Sequence, residues 1–149
     1  MSFADQLREA RENAGLSQAQ LARLAGTSQP RVSSYESGAV TPSAPTRARL
    51  LAAARPLPGE ALDRHREEIK RVARRCRVRH VRVFGSVARW EDTYNSDIDL
   101  VVTPLDDASL LDLTHFALEV QGLTGYPVDV VSDRGRNLDD PVLVEAQEL

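Results

Sequence analysis

The sequence predicts two domains, an all-α domain followed by an α/β (α+β) domain with a short mixed sheet. A length of 149 residues suits two small domains. The charge changes sign along the chain, because residues 1–58 hold seven arginines against four acids and the remainder holds twelve basic against eighteen acidic residues. Apolar residues recur at helical spacing in the first part, whereas strand-like and helical segments alternate in the second. We therefore predict domains at 1–55 and 60–149, joined by a proline-rich linker at 56–59.

The helices of the first domain are predicted from apolar spacing and from the residues that start and stop helices. Gly15 ends the first helix and Ser17 caps the second. Ser28 is placed to cap the third, with Pro30 in its first turn, where a missing N–H costs nothing. Gly38 ends this third helix. The predicted helices span residues 3–13, 18–25, 29–37 and 46–54.

Two short helices joined by a tight turn with glycine are the helix-turn-helix arrangement. The segments LSQAQLA (16–22) and TSQPRVSSYESG (27–38) are similar to the Xre/Cro-type DNA-binding family. The resemblance implies that the third helix enters the major groove and that a dimer binds a palindromic operator. The DNA-contacting residues that it implies are Gln18, Ser28, Gln29, Pro30, Arg31, Ser33 and Ser34. The plain alternative is that these are only exposed polar positions.

The second domain begins with a predicted helix and continues with short strands. Its last helix is expected to be short. Alternating or continuous apolar residues bounded by turn residues predict the strands. The predicted elements are a helix at 60–75, strands at 80–84 and 97–103, a helix at 110–121, a strand at 128–131 and a helix at 141–147.

The segments VFGSVAR (83–89) and SDIDLVV (96–102) carry the chemistry of the second domain. A strand ends in a Gly-Ser turn, and the next strand projects Asp97 and Asp99 to one face, since alternate side chains of a strand share a face. Two carboxylates this close repel each other unless a cation lies between them. Hard oxygen ligands suit Mg²⁺ or Mn²⁺. The turn beside them offers backbone N–H groups to phosphates.

A structural explanation of each carboxylate is also possible. Asp97 could merely cap the turn that precedes it. Asp99 and Asp129 each lie within an apolar strand segment, where a carboxylate that faces a core is costly without a partner. Two such strands in one small domain favour a shared ion.

The combination of Gly-Ser, about ten residues, Asp-x-Asp and a third acid on a later strand resembles the nucleotidyltransferase superfamily of the DNA polymerase β type. Within it, residues 60–149 are most similar to the minimal nucleotidyltransferases. The resemblance implies a catalytic metal site at Asp97, Asp99 and Asp129 and a nucleotide-binding site at Gly85, Ser86 and Arg89. Arg89 could equally be an ordinary surface arginine. The pattern departs at Trp90, where the family has glycine, and a bulky residue there is expected to reshape the turn or narrow the pocket.

The two resemblances together imply an antitoxin of a toxin–antitoxin module. It would transfer AMP from ATP to a hydroxyl, expected to be a tyrosine, of a HEPN-family toxin, and would repress its own operon. The alternative is a transcriptional regulator whose nucleotidyltransferase domain binds a nucleotide or a partner without catalysis. Transfer to a small molecule or an RNA end ranks last. A single cysteine, Cys76, excludes an internal disulfide, and the absence of a long apolar segment excludes a membrane span, so we expect a cytoplasmic homo-oligomer or hetero-oligomer with the toxin.

Overall fold

The computed structural model describes all 149 residues, which divide into two compact units, Met1–Pro56 and Leu57–Leu149. The first unit is entirely helical, and the second combines helices with a four-stranded mixed sheet. The predicted fold class is therefore confirmed. None of the helices is long and apolar enough to cross a membrane.

The first unit has four helices that enclose a small apolar core. They are α1 (Phe3–Asn13), α2 (Gln18–Ala25), α3 (Gln29–Glu36) and α4 (Ala44–Ala53). The core side chains come from all four helices: Leu7, Leu21, Ala22, Ala25, Val32 and Leu50. Leu7, Leu21 and Val32, which stand at helical spacing in the sequence, are fully buried, whereas Leu24, which was expected on the buried face of α2, is 40% exposed.

Capping residues fix where the first helices begin. Ser2 and Ser17 each form a capping box with the residue three positions later, which satisfies two backbone N–H groups at the helix start. Ser28 occupies the N-cap position of α3 but makes no side-chain capping bond, so the predicted capping by its hydroxyl is wrong. Helix α4 begins two residues earlier than predicted because Pro45 fits its first turn.

The second unit has five helices and four strands. The helices are α5 (Pro58–Arg64), α6 (Arg66–Arg75), α7 (Gly85–Ala88), α8 (Leu110–Thr124) and α9 (Pro141–Glu145). The strands are β1 (Val78–Phe84), β2 (Ile98–Pro104), β3 (Val128–Ser132) and β4 (Gln147–Glu148).

Several boundaries differ from the prediction. Strand β2 begins at Ile98, so Asp97 precedes the strand instead of lying on it, and α9 ends at Glu145, two residues before the predicted end. The single helix expected at 60–75 is two helices, because the backbone at His65 leaves helical geometry (φ −103°, ψ 15°). The predicted linker at 56–59 is shortened, because Pro58 stands in the first turn of α5. Helix α7 and strand β4 were not predicted, since elements of four and two residues are too short to show a period.

The sheet has the order β3-β2-β1-β4. Strand β1 runs antiparallel to β2 and β4, whereas β3 runs parallel to β2. The core of the second unit joins the sheet to the flanking helices through Ile98, Leu100, Ile69, Phe116 and Val120, all fully buried. Because β1 ends where β2 begins, the turn after β1 lies beside the first residues of β2.

Candidate active site

Two of the predicted catalytic carboxylates lie side by side. Asp99 on β2 and Asp129 on β3 are direct register partners in the parallel pair. Side chains of register partners project to the same face of a sheet. Asp97 is exposed and lies two residues before Asp99, just ahead of the strand. The structure therefore groups the three carboxylates at one end of β2 and β3.

The electrostatics of Asp99 reflect this grouping. Partial burial has the largest effect on Asp99 and raises its pKa. The negative charges of Asp129 and then of Asp97 raise this pKa further. Arg89 opposes these effects only partly. No hydrogen bond from the protein stabilises the charged form of Asp99. The carboxylate is thus held in a position where a cation would relieve an existing cost.

The carboxylates are close without forming a closed metal site. No group of three or more His, Cys, Asp or Glu side chains stands in an arrangement that could hold a metal ion. The hard oxygen donors nonetheless suit Mg²⁺ or Mn²⁺ in kind. The assignment of Asp97, Asp99 and Asp129 as metal ligands therefore stays a prediction.

Gly85 brings the backbone against the Asp99 carboxylate. It adopts φ +73°, and a Cβ placed on it would overlap an oxygen of Asp99 and lie 3.1 Å from its Cγ. Only glycine satisfies both the left-handed backbone and this close approach. The glycine of the motif is thus explained by contact with the carboxylate that follows fourteen residues later.

We expect Gly85→Ala to destabilise the second unit by about 3 kcal/mol, because the left-handed cost of a Cβ adds to a collision with Asp99. Gly135→Ala is the matched control, since Gly135 has the same φ of +73° and open space around it. The free energy of unfolding of this control should fall by only about 1 kcal/mol. Chemical denaturation of both variants measures the difference, and equal losses would contradict the collision.

The other two predicted nucleotide-binding residues flank α7. Ser86 is half-buried, and Arg89 is half-exposed just after the helix. Arg89 forms ion pairs with Glu91 (Nε to Oε2, 3.0 Å) and with Glu145 (Nη1 to Oε1, 2.6 Å). These hydrogen bonds raise the pKa of Arg89. Arg89 is therefore not an unpaired surface residue.

Glu145 is a site residue that the sequence did not reveal. Its Oε2 accepts a hydrogen bond from the Gly85 N–H at 2.9 Å, while its Oε1 accepts from Arg89. The bond from Gly85, and then that from Arg89, lowers the pKa of Glu145. No local signal could have found it, because its partners lie 60 and 56 residues earlier in the chain.

The backbone conformation at Trp90 accounts for the glycine that the family has at this position. It has φ +60°, a left-handed backbone that glycine adopts without strain. Its side chain is 85% exposed and lies at the rim of a cavity of about 370 Å³. None of the predicted catalytic or nucleotide-binding residues lines this cavity, whose apolar wall includes Leu57, Leu62 and Val87. The effect of Trp90 on the turn and on the carboxylate site stays a prediction.

The predicted DNA-contacting residues fall into two groups. Exposed residues at the start of α3 are Ser28, Gln29, Pro30 and Arg31, whereas Gln18, Ser33 and Ser34 are half-buried. Gln29 donates a hydrogen bond to Gln18 at 2.9 Å, and Gln18 reaches Glu36 at 3.5 Å. Gln18 thus links α2 to α3, which the sequence did not indicate. Arg31 is exposed, and its contact with a base edge stays a prediction.

Comparison with protein families agrees with both halves of the fold. A model described as a helix-turn-helix domain matches residues 2–64. A model described as polymerase beta, nucleotidyltransferase matches residues 67–145, which is more than half of the chain. The chain belongs to the polymerase β nucleotidyltransferase family. Its first unit carries a helix-turn-helix domain.

Known proteins resemble this nucleotidyltransferase over its second unit. "Putative protein adenylyltransferase MJ0435" of Methanocaldococcus jannaschii is 36% identical over 74 residues, covering 48% of this chain and 80% of that protein. "Putative protein adenylyltransferase MJ0126" of the same organism is 33% identical over 73 residues, covering 49% and 71%. A solved structure described as "Structure of putative minimal nucleotidyltransferase" aligns with a TM-score of 0.56 and 41% identity, covering 62% of this chain and 97% of the other.

Proposed function

We propose that this nucleotidyltransferase is a protein adenylyltransferase that transfers AMP from ATP to a hydroxyl of a protein partner. The observation that carries the proposal is the pair Asp99 and Asp129, in register on adjacent strands, with Asp99 packed against the Gly85 turn. The names of the two M. jannaschii relatives support protein adenylylation as the reaction.

Each group in the proposed site has a task that its chemistry allows. Asp97 and Asp99, together with Asp129 or with the substrate phosphates, would hold Mg²⁺ or Mn²⁺, because Mg²⁺ needs only one or two protein carboxylates when phosphates are also ligands. The metal would supply positive charge for the triphosphate. The Gly85 N–H, the Ser86 hydroxyl and the Arg89 guanidinium are donors for phosphate oxygens. Asp129, which is exposed, would either complete the metal site or accept the proton of the acceptor hydroxyl. Positioning and electrostatic stabilisation would supply most of the rate increase.

The partner in this proposal is a toxin. The resemblance to the minimal nucleotidyltransferases suggests a HEPN-family toxin with a tyrosine as acceptor, and the helix-turn-helix domain suggests repression of the shared operon. The second unit has only 93 residues, Leu57–Leu149, so the acceptor is expected to come from another molecule. The chain would then act as antitoxin and as operon repressor.

Label transfer tests the enzymatic proposal. The full chain is mixed with α-³²P-labelled ATP, Mg²⁺ and the product of the neighbouring gene, and label on that partner is followed by electrophoresis. We expect transfer that EDTA abolishes and that γ-labelled ATP does not give. If the partner stays unlabelled while the chain is folded and a known adenylyltransferase is active in the same buffer, the proposal is wrong.

Arg31→Ala is expected to weaken binding to the operator roughly 10- to 100-fold, because a bidentate arginine–guanine contact contributes about 1–3 kcal/mol of discrimination. Arg49→Ala, the same change on α4, is the control and should reduce affinity less and without loss of sequence preference. Mobility-shift titrations on operator and scrambled DNA measure both. Equal losses on the two DNAs for Arg31→Ala would assign Arg31 to a phosphate instead.

A second candidate is a regulator whose nucleotidyltransferase domain is catalytically silent. The observation that favours it is the Glu145 carboxylate on the Gly85 N–H and on Arg89, two of the proposed phosphate donors. Calorimetry distinguishes the two candidates. Nucleotide binding without turnover in the presence of the partner supports the silent regulator.

A further inference from the structure

The segment from α9 to β4 lies across the nucleotide-binding turn. Glu145, the last residue of α9, bonds to the Gly85 N–H and to Arg89. Two residues later, the Gln147 side chain donates to the Ala88 carbonyl at 3.2 Å. Strand β4 then pairs with β1. The contact of Gln147 with α7 and the pairing of β4 with β1 therefore hold the Glu145 carboxylate at the turn.

Glu145 accepts hydrogen bonds from the Gly85 N–H and from Arg89, and the proposed function assigns both of these donors to the phosphates of ATP. A carboxylate and a phosphate present the same kind of anionic oxygen to a backbone N–H or a guanidinium. Both Glu145 oxygens are already bonded, one to each donor. The Gly85 backbone has a single N–H, which Glu145 already uses, so a phosphate bonded to this N–H requires that Glu145 leave.

We propose that Glu145 is an internal competitor for the nucleotide, whose carboxylate occupies the position of a phosphate group until a polyphosphate displaces it. The inference rests on the proposed function of the same site. A protein in which the binding-competent state is only partly populated binds its ligand more weakly by that fraction. Glu145 thereby sets the nucleotide concentration at which the site fills, and it gives the α9–β4 segment two positions, one with and one without bound phosphate.

The proposal predicts a gain of affinity when a charged residue is removed from the site. Glu145→Gln retains the size of the side chain but presents an amide NH₂ that repels either the Gly85 N–H or Arg89. Glu145→Ala removes both bonds. We expect each variant to bind Mg²⁺-ATP and Mg²⁺-tripolyphosphate roughly three- to tenfold more tightly than the wild type, a modest gain because the contact is partly exposed. Adenosine, which has no phosphate, should gain nothing.

Glu148→Gln is the matched control. It makes the same chemical change in the same segment, but Glu148 faces His80 at 3.5 Å and touches neither Gly85 nor Arg89. Its affinity for both polyphosphates should equal that of the wild type. Isothermal titration calorimetry of the full chain measures all four proteins, and thermal melts confirm that each is folded.

The outcomes separate this inference from the proposed function. If the wild type binds ATP and both Glu145 variants bind it equally or more weakly, Glu145 positions the donors and the competitor role is wrong, while the proposed function stands. An equal gain for adenosine would mean that the pocket opens in general, which also overturns the competitor role. If wild type and variants all fail to bind ATP and tripolyphosphate, the proposed function fails and the inference fails with it.

Discussion

Asp99→Asn should reduce AMP transfer on the order of 100-fold or more, because the loss of one metal-binding carboxylate removes several kcal/mol of transition-state stabilisation. Asn matches Asp in size, so the close approach of Gly85 is preserved. Label transfer under saturating ATP and Mg²⁺ measures the change. Asp139→Asn, at an exposed position outside the site, is the control and should retain full activity. Activity of Asp99→Asn within a few-fold of wild type would remove Asp99 from the catalytic group.

The same substitution should make the second unit more stable at neutral pH. The pKa of Asp99 is raised above its ordinary value of 3.8, first by burial and then by Asp129 and Asp97. A raised pKa means that the folded state prefers the protonated form. The contribution of Asp99 to stability is therefore fully present below pH 3.8 and is lost as the pH rises through the raised value. Asparagine carries no charge and so removes the free-energy cost of an ionised carboxylate at this position. The melting temperature of Asp99→Asn should therefore exceed that of the wild type at pH 7, and the two should converge in acid.

Loss of activity together with a gain of stability is a signature of a functional group rather than of damage to the fold. A variant that lost activity through misfolding would melt at a lower temperature. Scanning calorimetry at pH 7 and at pH 4 distinguishes the two. A lower melting temperature for Asp99→Asn at neutral pH would show that the carboxylate stabilises the fold instead.

Arg11→Met should remove most of the stability of the first unit at 25 °C. Arg11 forms a two-bond ion pair with Glu36, at 2.7 Å from Nε to Oε2 and 2.8 Å from Nη2 to Oε1, and Glu36 is only 3% exposed. Removing one partner of such a pair leaves an uncompensated buried charge and costs about 3–5 kcal/mol. That is comparable to the entire stability of a domain of this size, roughly 3–8 kcal/mol. Operator binding should be lost with the fold.

The double variant Arg11→Met with Glu36→Leu tests whether the unpaired buried charge of Glu36 causes the loss of stability. Replacing both members of a buried ion pair with apolar residues is often neutral, so most of the stability should return. Arg8 would still donate to the Glu36 backbone carbonyl, since that bond, at 2.7 Å, does not depend on the side chain. Denaturation followed by circular dichroism measures the single and double variants. If the double variant is no more stable than Arg11→Met, the charge on Glu36 is not the cause.

Much of the fold could be predicted because its signals are local. The limits of α1 and α2 follow from Ser17 and from glycines that end helices with positive φ. The Gly-Ser turn and the Asp-x-Asp strand lie within fifteen residues of one another, so their spacing alone places them together. The break at His65 was missed because apolar residues continue at helical spacing on both sides of it.

The family motif predicted Asp129 as a partner of Asp99, but contacts that no motif records were missed. The resemblance predicts that Gln18 contacts DNA, and the fold adds contacts of Gln18 with Gln29 and the buried Glu36 that the sequence did not indicate. Glu36 itself lies in a polar stretch, and its burial depends on an arginine 25 residues earlier. Glu145 accepts a hydrogen bond from Gly85, which lies 60 residues earlier in the chain. Pairings over such distances leave no period in the sequence.

By itself the sequence determined the two domains, the helices of the first, and the motif that marks a nucleotidyltransferase, because caps, glycines and apolar spacing act over a few residues. The tertiary structure alone decided that Asp129 lies beside Asp99, since only the parallel pairing of β2 and β3 sets that register. The tertiary structure also decided that the Glu145 carboxylate bonds to Gly85 and Arg89, the donors proposed for phosphate. The physical reason is that contacts between distant residues depend on how whole elements pack, and no short segment records that packing.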